Sequence, residues 1–429
     1  MTNSYHQAPD SVAAAPPGCP VHQTWSPLSE EYLADPYPIA AQLRDDHPVF
    51  YSAELGYVVV TRMEDLETVF MDSDTYASTN VQDPLFPMAP EAAEILSADD
   101  FNPTAVMSNR PEPDHARIRV FTRQGFSVRR LKTLEDYMRS RAHALIDQML
   151  AGPSPADYIS TVAFPLPAEI VFRFIGFPPE DDLMLKSWCV NRKAFSWGQP
   201  TAEEQAEIAA GMLDYWRYTR DFVAGRHKNR ADDFCSELLD AHDADPDPAN
   251  GTGISYLEVE SAIYGLSFAG HDPVTNLLSN TLRCLLPRRE AWDAICADPS
   301  LINNAIEEVL RYESSQIGWR RVTTKNTTLR GIDLPAGTRI FLNFAAANHQ
   351  PDLFDEPTSF DLNRDNSARH ISFGKGIHFC LGANLSRMEA RIALELLSQK
   401  APSLRLAEQE FSSFPNITFR GPEKLLVEF

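Results

Sequence analysis

The feature that most constrains this chain is a glycine-rich stretch with one cysteine, followed at once by a helix-like run. The stretch, FGKGIHFCLG, extends from Phe373 to Gly382 and contains Cys380, and the run ANLSRMEARIA follows it. Glycines permit backbone turns that are closed to residues with side chains. A helix N-terminus presents free N–H groups and positive partial charge. We therefore expect Cys380 to be held as a thiolate, the form that binds metals.

The remaining cysteines do not form a second metal or redox motif. The chain has six cysteines, which are Cys19, Cys189, Cys235, Cys284, Cys296 and Cys380. No two of them have the C-x-x-C spacing of zinc or thioredoxin-like sites. A single thiolate on a rigid loop instead suits one axial position on a haem iron. The alternative is a buried structural cysteine in a strand-to-helix turn.

The stretch resembles the haem-ligand loop of the cytochrome P450 family, FGxGxHxCxG, at every fixed position. The resemblance implies a mainly α fold with a minor β component, in which haem b lies between a long distal helix and the proximal cysteine loop. It implies Cys380 as the iron ligand, with Phe373 and Gly382 also at the cofactor. It extends from about Pro36 to Phe429 and is similar to the haem domain of the bacterial class that is fused to a reductase.

Composition argues against several classes of protein. The chain has 429 residues and a net charge of −22, whereas nucleic-acid binding needs a basic surface. No uncharged apolar run approaches the length of a membrane helix, and the N-terminus lacks the features of a signal peptide. Scattered cysteines fit a reducing compartment. We expect a cytoplasmic monomer with no membrane anchor, a flexible tail at residues 1–25 and a single haem domain at residues 26–429.

The pattern along the chain is mostly helical with strand-like pieces. A short helical pattern from Pro38 to Asp46 precedes the strand-like run YVVVT at residues 57–61. Residues 79–109 are rich in Pro, Asn and Asp, which predicts a long loop with short helical pieces. Helical patterns dominate residues 127–310, with proline-rich and polar breaks. Residues 322–345 predict strands around a turn.

An E-x-x-R motif precedes the cysteine loop. Glu308 and Arg311 are three residues apart, so on a helix they share one face and can pair. The usual form of this motif is a surface ion pair that stabilises little. The resemblance instead implies a buried network with Arg364, which ties the segment before the cysteine loop to a helix.

Haem carries two propionates, which need cationic or hydrogen-bonding partners. The resemblance implies His115, Arg119 and His378 in this role. It also implies a strand arginine, either Arg321 or Arg320, which are adjacent and so face opposite sides of a strand. The position of the following turn favours Arg321. The alternative for each of these residues is a solvated surface charge.

A long helix is predicted near residues 261–282 from its apolar spacing. It contains the run AGHDPVTN, where the P450 family usually has A-G-x-D/E-T-T. Ala269 and Gly270 match, and small residues there leave room for dioxygen and substrate. Asp272 matches the acid that helps to relay protons. The alternative for Asp272 is a solvated or capping acid.

This run departs from the family at Pro273, which replaces the usual threonine. Proline inside a helix costs roughly 3 kcal/mol because it lacks an N–H and clashes with the carbonyl four residues back. We expect less here, because the family's helix is already distorted at this point. Proline also lacks the hydroxyl that the family uses at the oxygen site. We hypothesise that ordered water, a substrate hydroxyl or Thr275 substitutes for it.

Substrate contacts follow from the family layout, although each apolar member could equally belong to the core. The resemblance places them in the long loop, the predicted helices and the last turn, at Phe86, Met88, Trp188, Trp197, Leu266, Ile317, Asn416 and Ile417. Aromatic and aliphatic residues at these positions suggest a small or medium apolar substrate.

Electron donors are expected to be separate proteins, a ferredoxin and its reductase, because the chain has no second cysteine cluster for an iron–sulfur centre. A basic patch beside the cysteine loop could attract an acidic ferredoxin. Its candidate members are Arg123, Arg129, Arg130, Lys375, Arg387 and Arg391. A mixed, solvated surface is the alternative.

The function that these expectations support is a haem-thiolate monooxygenase that uses O2 on an organic substrate. Two rivals remain open. Because of Pro273, the protein could use peroxide, or could couple or dehydrogenate its substrate. It could also be a haem sensor or carrier without turnover, in which His271 supplies a second iron ligand.

Overall fold

The computed structural model describes residues 14–429, apart from the side chains of residues 190 and 191. Its helices are α1 (Glu30–Ala34), α2 (Pro36–Asp46), α3 (Met63–Met71), α4 (Pro90–Leu96), α5 (Asp114–Gly125), α6 (Val128–Leu150), α7 (Pro165–Ile175), α8 (Asp182–Trp197), α9 (Ala202–Lys228), α10 (Phe234–Ala244), α11 (Tyr256–Leu285), α12 (Arg289–Ala297), α13 (Ile302–Tyr312), α14 (Phe344–Ala347) and α15 (Ala383–Lys400). The fold is therefore mainly helical.

The strands form three small sheets. They are β1 (Val21–His22), β2 (Val49–Ser52), β3 (Tyr57–Val60), β4 (Tyr76–Ala77), β5 (Ala156–Asp157), β6 (Gly318–Thr323), β7 (Thr327–Leu329), β8 (Ile332–Leu334), β9 (Arg339–Asn343), β10 (Arg405–Leu406) and β11 (Leu426–Glu428). The largest sheet has the order β1-β2-β3-β9-β6-β4, the second β10-β11-β5, and the third is the β7-β8 hairpin. In the largest sheet β3 and β9 are parallel, and β6 and β9 are antiparallel.

Local sequence explains where the main helices begin and end. The long helix α11 starts with a capping box, in which Ser255 and Glu258 satisfy each other's backbone N–H groups. Proline at the first position begins α7 at Pro165, and Gly176, at φ 104°, ends it in the left-handed conformation that favours glycine. These signals fix the two helices that form part of the site described below.

The helix α11 runs through the main hydrophobic core. It packs against α7, α9 and α15, and twenty of its residues are buried, including Ile263, Tyr264 and Leu278. Two smaller apolar clusters lie around the largest sheet. Because one face of α11 is enclosed by other helices, its remaining face is available to line an internal cavity.

The structure confirms the predicted fold class of a mainly α protein with a minor β component. The tail predicted at residues 1–25 needs correction within the described part, because Cys19 and Trp25 are buried and β1 pairs with β2. Residues 1–13 of that tail lie outside the described residues. Among the helices that the structure describes, none combines the length and the apolar character needed to span a bilayer.

Candidate active site

The cysteine loop is a tightly closed turn in front of α15. The backbone N–H of Cys380 donates to the carbonyl of Phe373, at 3.0 Å. Gly376 has φ 71°, and a Cβ there would lie 2.5 Å from the carbonyl oxygen of Phe70. Only glycine fits this close approach. The loop is thus held against the end of α3, and Cys380 is exposed to the cavity beyond it.

Opposing effects act on the pKa of the Cys380 thiol. Burial in the protein raises the pKa of the Cys380 thiol, although the Gly382 N–H, Arg119 and Arg387 lower it. Desolvation is the largest of these effects, so it sets the direction of the shift in the pKa of the thiol. A bound metal cation would deprotonate the thiol.

A buried ion network supports the loop from behind. Arg311 donates two hydrogen bonds to the carboxylate of Glu308, at 2.7 and 2.8 Å, and Arg364 donates two more at 3.1 Å. All three side chains are buried. The structure thus brings together the three residues of the predicted network, and each guanidinium also donates to loop carbonyls, including that of Ser359.

A second network reaches the loop directly. Arg387 of α15 donates to both carboxylate oxygens of Glu307 in α13, and His370 donates to one of them. The Arg387 guanidinium also lies 4.5 Å from the ring centre of Phe373. Burial alone would raise the pKa of Glu307, but the hydrogen bonds from Arg387 and His370 lower it to about 2. The first residue of the loop is therefore fixed by a charged contact.

A cavity of about 280 Å³ lies between the cysteine loop and α11. Its floor includes Phe373, Cys380 and Gly382 from the loop, and its opposite wall includes Ala269 and Pro273. Of the described residues that line it, none is an Asp or a Glu. A thiol thus faces an apolar helix wall across an enclosed space without negative charge.

Small residues and a proline shape the α11 wall. Ala269, Gly270, Pro273 and Val274 line the cavity, and α11 continues through the proline. A Cβ at Gly270 would lie 2.5 Å from Cγ2 of Val171 in α7. The missing side chain at Gly270 therefore makes room for α7 to approach. Pro273 leaves the carbonyl of Ala269 without its usual helical N–H donor.

Asp272 and Thr275 lie on faces of α11 that turn away from the cavity lining. Oδ1 of Asp272 accepts a 2.9 Å hydrogen bond from Lys193 Nζ on α8. The Thr275 hydroxyl donates to the carbonyl of His271, at 3.2 Å. The hypothesis that Thr275 replaces the missing hydroxyl at the oxygen site is thus not supported, because helical periodicity turns it away when Pro273 faces the cavity.

Several cationic or polar groups converge on the loop side of the cavity. Arg119, Arg321 and His378 line it, and the His115 ring lies 4.1 Å from that of His378. His115 Nδ1 pairs with Glu112 at 3.3 Å. Its Nε2 is buried with no hydrogen-bond partner in the part of the chain described.

Strand alternation separates Arg320 from Arg321. Arg320 donates to the carbonyls of Val81 and Asp83 and lies 5.9 Å from the ring centre of Trp197. Arg321 lines the cavity and Arg320 does not. The two adjacent arginines therefore point to opposite sides of the strand.

The convergent cations need an anion. Burial lowers the pKa of Arg321 to about 9. Burial, together with the positive charge of Arg321 and Arg119 and the proximity of His115, lowers the pKa of His378 to about 2. A buried charge without a partner is costly, and no carboxylate among the described residues pairs with Arg321. The residues present therefore fit a group that carries negative charge at this edge of the cavity.

Comparison with known proteins identifies the family. The family model for Cytochrome P450 matches residues 202–401. Over 409 residues the chain is 32% identical to the biotin biosynthesis cytochrome P450 of Bacillus subtilis (strain 168), an alignment that covers 94% of this chain and 98% of that protein. The chain belongs to the cytochrome P450 family. As a P450 it is an oxidoreductase with haem b as its cofactor.

Solved P450 structures share the whole fold. The cytochrome P450 CREJ in complex with (4-ethylphenyl) dihydrogen phosphate superposes with a TM-score of 0.90 at 34% identity, covering 95% of this chain and 99% of that one. An intact type IV self-sufficient P450 monooxygenase has a TM-score of 0.91 at 32% identity, covering 98% of this chain and 55% of that one. The predicted resemblance to the reductase-fused class is thus confirmed.

Two of the residues predicted to contact substrate line the cavity of this P450, and six do not. Of the eight predicted residues, Trp197 and Leu266 line the cavity. The other six do not line it, namely Phe86, Met88, Trp188, Ile317, Asn416 and Ile417.

Each of these six has another structural role. Trp188 packs on Tyr215 of α9, and Asn416 bonds the backbone of its own turn. Phe86, Ile317 and Ile417 belong to the cluster under the largest sheet, and Met88 packs on the main core. Apolar character alone therefore does not distinguish residues of the hydrophobic core from residues that line the cavity.

Several further residues line the P450 cavity that the family pattern does not indicate. Arg192, Phe268, Trp319 and Phe419 all line it. Phe268 and Phe419 each lie two residues from a predicted substrate contact, Leu266 and Ile417 respectively. A shift of one or two positions along a helix or strand changes which side chains face the cavity. Arg192 lies on α8 between the two tryptophans that were singled out, and its charge was the available signal.

His271, the residue considered as a second iron ligand, does not line the P450 cavity. It is fully buried on the opposite side of α11, 4.8 Å from the ring centre of Phe164. Burial lowers the pKa of His271 to about 4. It therefore behaves as a neutral core residue, and the geometry gives the sensor alternative no second ligand at this position.

Proposed function

We propose that this P450 is a monooxygenase that inserts oxygen from O2 into a small or medium organic substrate, with electrons from a separate protein donor. The observation that carries the proposal is the position of the Cys380 thiol, which faces the cavity opposite the Ala269–Pro273 wall of α11. One wall offers a metal ligand, and the other leaves space for substrate.

The residues at the loop side fit haem. Cys380 would ligate the iron, and Arg119, Arg321, His378 and His115 would receive the propionates. The buried guanidinium of Arg321 supports this placement, because an anionic carboxylate would remove the penalty of its burial. When bound, haem with a thiolate ligand supplies dioxygen activation.

The distal wall would control water and protons. Ala269, Gly270 and Val274 keep this side apolar. In the proposal Asp272 transfers protons through Oδ2, which is buried without a hydrogen-bond partner within the described residues. The carbonyl of Ala269, left without a helical donor by Pro273, is a suitable acceptor for a water molecule in the relay.

The substrate is proposed to have an aromatic or aliphatic body. Trp197 stacks on Phe268, with ring centres 5.7 Å apart, and Phe419 meets Trp197 edge-on at 5.0 Å. These rings line one end of the cavity. CREJ was solved in complex with (4-ethylphenyl) dihydrogen phosphate, which supports the choice of an alkyl-substituted aromatic ring as a first compound to test here.

Electron donors are proposed to dock beside the cysteine loop. Large apolar side chains are exposed on the elements around it, namely Met71, Val120, Val128, Ile377 and Phe379. Four members of the predicted basic patch already pair with carboxylates, namely Arg130, Lys375, Arg387 and Arg391. Arg123 and Arg129 form no ion pair within the described residues. An acidic ferredoxin could therefore combine apolar contact with these two charges.

The carbon monoxide difference spectrum of the reduced protein tests the haem assignment. Wild type and the control Cys296→Ser should bind one haem and give the red-shifted Soret band of thiolate ligation. Cys380→Ser should lose that band. Haem-loaded, folded wild type without the band would refute the proposal.

Reduction kinetics test the docking face. Arg129→Glu should slow reduction by ferredoxin about tenfold at low salt, with a smaller effect at high salt. Arg405→Glu, which changes a residue paired with Glu428 away from the loop, is the matched control. Equal rates for the two variants would remove Arg129 from the interface.

Pro273 supports a second candidate, the use of hydrogen peroxide as oxidant. The residue that lines the cavity at this position has no hydroxyl. Product formed with peroxide, but not with NAD(P)H, ferredoxin and ferredoxin reductase, would favour this candidate. Product formed only with the electron donors would exclude it.

A further inference from the structure

A buried arginine lies in the wall of the cavity away from the cysteine loop. Arg192 of α8 is 3% exposed and lines the cavity. Its guanidinium carbon lies 4.5 Å from the ring centre of Tyr264 and 5.9 Å from that of Phe268, both on α11. These rings fix the direction of the side chain by cation–π contact, and the arginine forms part of the cavity wall.

An aromatic surface adjoins this charge. Phe268, which is close to Arg192, stacks on Trp197 with an angle of 13° between the rings. Trp319 continues the stack, 6.1 Å from Trp197. All three line the cavity. A ligand at this end therefore meets flat apolar walls next to a cation.

The described residues that line the cavity are neutral or cationic. None of the described lining residues is an Asp or a Glu. On the neighbouring face of α11 the carboxylate of Asp272 is held by Lys193, at 2.9 Å. Arginine also has five N–H donors, so it can hold an internal contact and a ligand at once.

A neutral amide side chain also lines the cavity. Gln82 lines the cavity and donates through Nε2 to the Ser108 hydroxyl, at 3.0 Å, which also lines it. These neutral donors and acceptors can orient a ligand in the same cavity.

We propose that Arg192 binds an anionic group of the substrate, a carboxylate or a phosphate monoester, while the substrate body packs on Trp197 and Phe268. This inference rests on the proposed function and names its substrate class. Tyr264 and Ala269 are five residues apart on α11, about 7.5 Å along the axis. The anion is thus held at one end, and oxidation occurs at the end remote from it.

Matched ligands test the proposal on the haem-loaded protein. Calorimetric and spectral titrations would compare 4-ethylbenzoate with 4-ethylbenzamide, which has nearly the same shape without the charge. An arm with 4-ethylphenyl phosphate against 4-ethylphenol separates phosphate from carboxylate preference. Wild type should bind at least one anion about tenfold or more tightly than its neutral partner.

Variants of Arg192 and one control variant complete the experiment. Arg192→Met should weaken binding of the preferred anion about 10- to 100-fold and change the neutral ligand less than about threefold. Arg192→Lys should retain part of the preference. Arg173→Met is the control, because the Arg173 guanidinium also lies over an aromatic ring, 4.3 Å from the ring centre of Tyr137, but does not line the cavity, and it should keep the anion preference.

Several results would overturn the proposal. Wild type that does not prefer either anion would do so, as would Arg192→Met that weakens both members of a pair equally. If Arg192→Met does not fold, Arg192→Gln with unchanged anion preference would be equally decisive. The proposed function fails separately, through loss of the thiolate spectrum or of turnover, while ligand preference is read from binding alone.

Discussion

Lys193 on α8 donates a 2.9 Å hydrogen bond to Asp272 on α11, on the side of α11 that faces away from the cavity. Both side chains are largely buried, with exposed fractions of 13% and 6%. The pair joins α8, which carries cavity residues, to α11, which forms the cavity wall opposite Cys380. It also occupies one oxygen of the acid proposed to relay protons.

Removal of Lys193 should destabilise the protein. In Lys193→Met the carboxylate of Asp272 stays buried without a cation, which costs about 3 kcal/mol. The double variant with Asp272→Asn should recover much of this loss. Chemical unfolding of the haem-loaded proteins measures the effect, and an additive double variant would show that the pair is not coupled.

Asp272 and Thr275 should differ in their effect on turnover. Asp272→Asn should slow product formation roughly 100-fold, because it removes the proposed proton-transfer group. It should also increase the solvent isotope effect. Thr275→Val should leave turnover and coupling within about twofold, since the hydroxyl bonds a helix carbonyl outside the cavity. The reverse ranking would exchange the two roles.

Acid should weaken the contact between α13 and α15. The pKa of Glu307 is lowered to about 2 when folded, so the unfolded chain takes up a proton at higher pH than the folded one. The free energy of unfolding therefore falls as pH drops from about 5 toward 2. Between pH 5 and 3 the wild type should lose about 1–2 kcal/mol more than Glu307→Gln. Parallel slopes would contradict this.

A rise in pH should lower the free energy of unfolding through another buried carboxyl group. Glu389 of α15 is 1% exposed, and neither of its oxygens has a hydrogen-bond partner among the described residues. Burial raises the pKa of Glu389 well above its usual range. The folded state thus keeps the proton longer, and stability falls as pH rises above the unfolded value. Glu389→Gln should match wild type near pH 4 and exceed it by about 1 kcal/mol or more at pH 8.

The sequence was most informative where chemistry depends on local geometry. The cysteine loop needs glycine at a fixed place, as Gly376 shows by its approach to Phe70. The alternation of Arg320 and Arg321 follows from the strand repeat. The long helix and its proline are visible from apolar spacing alone, and α11 extends a few residues beyond the predicted limits.

Prediction failed where long-range packing decides the environment of a side chain. Trp188 and Trp197 lie on the same helix, yet only Trp197 reaches the cavity, because α9 covers the other. The Cys380 thiol lies just before the N-terminus of α15, but the direction of its pKa shift follows from its burial, which depends on segments distant in the sequence. Neither quantity can be read from residue order.

The net negative charge of the protein should affect the rate at which an anion reaches the buried Arg192. The chain carries a net charge of −22, so an anionic molecule in solution is repelled as it approaches the protein. This repulsion acts over about 8 Å at physiological ionic strength and weakens as salt is added. The association rate of an anion should therefore increase with salt, whereas that of a neutral analogue stays constant. The negative charge of the protein would then slow the entry of an anion, whereas the positive charge of Arg192 would retain the same anion once it is bound.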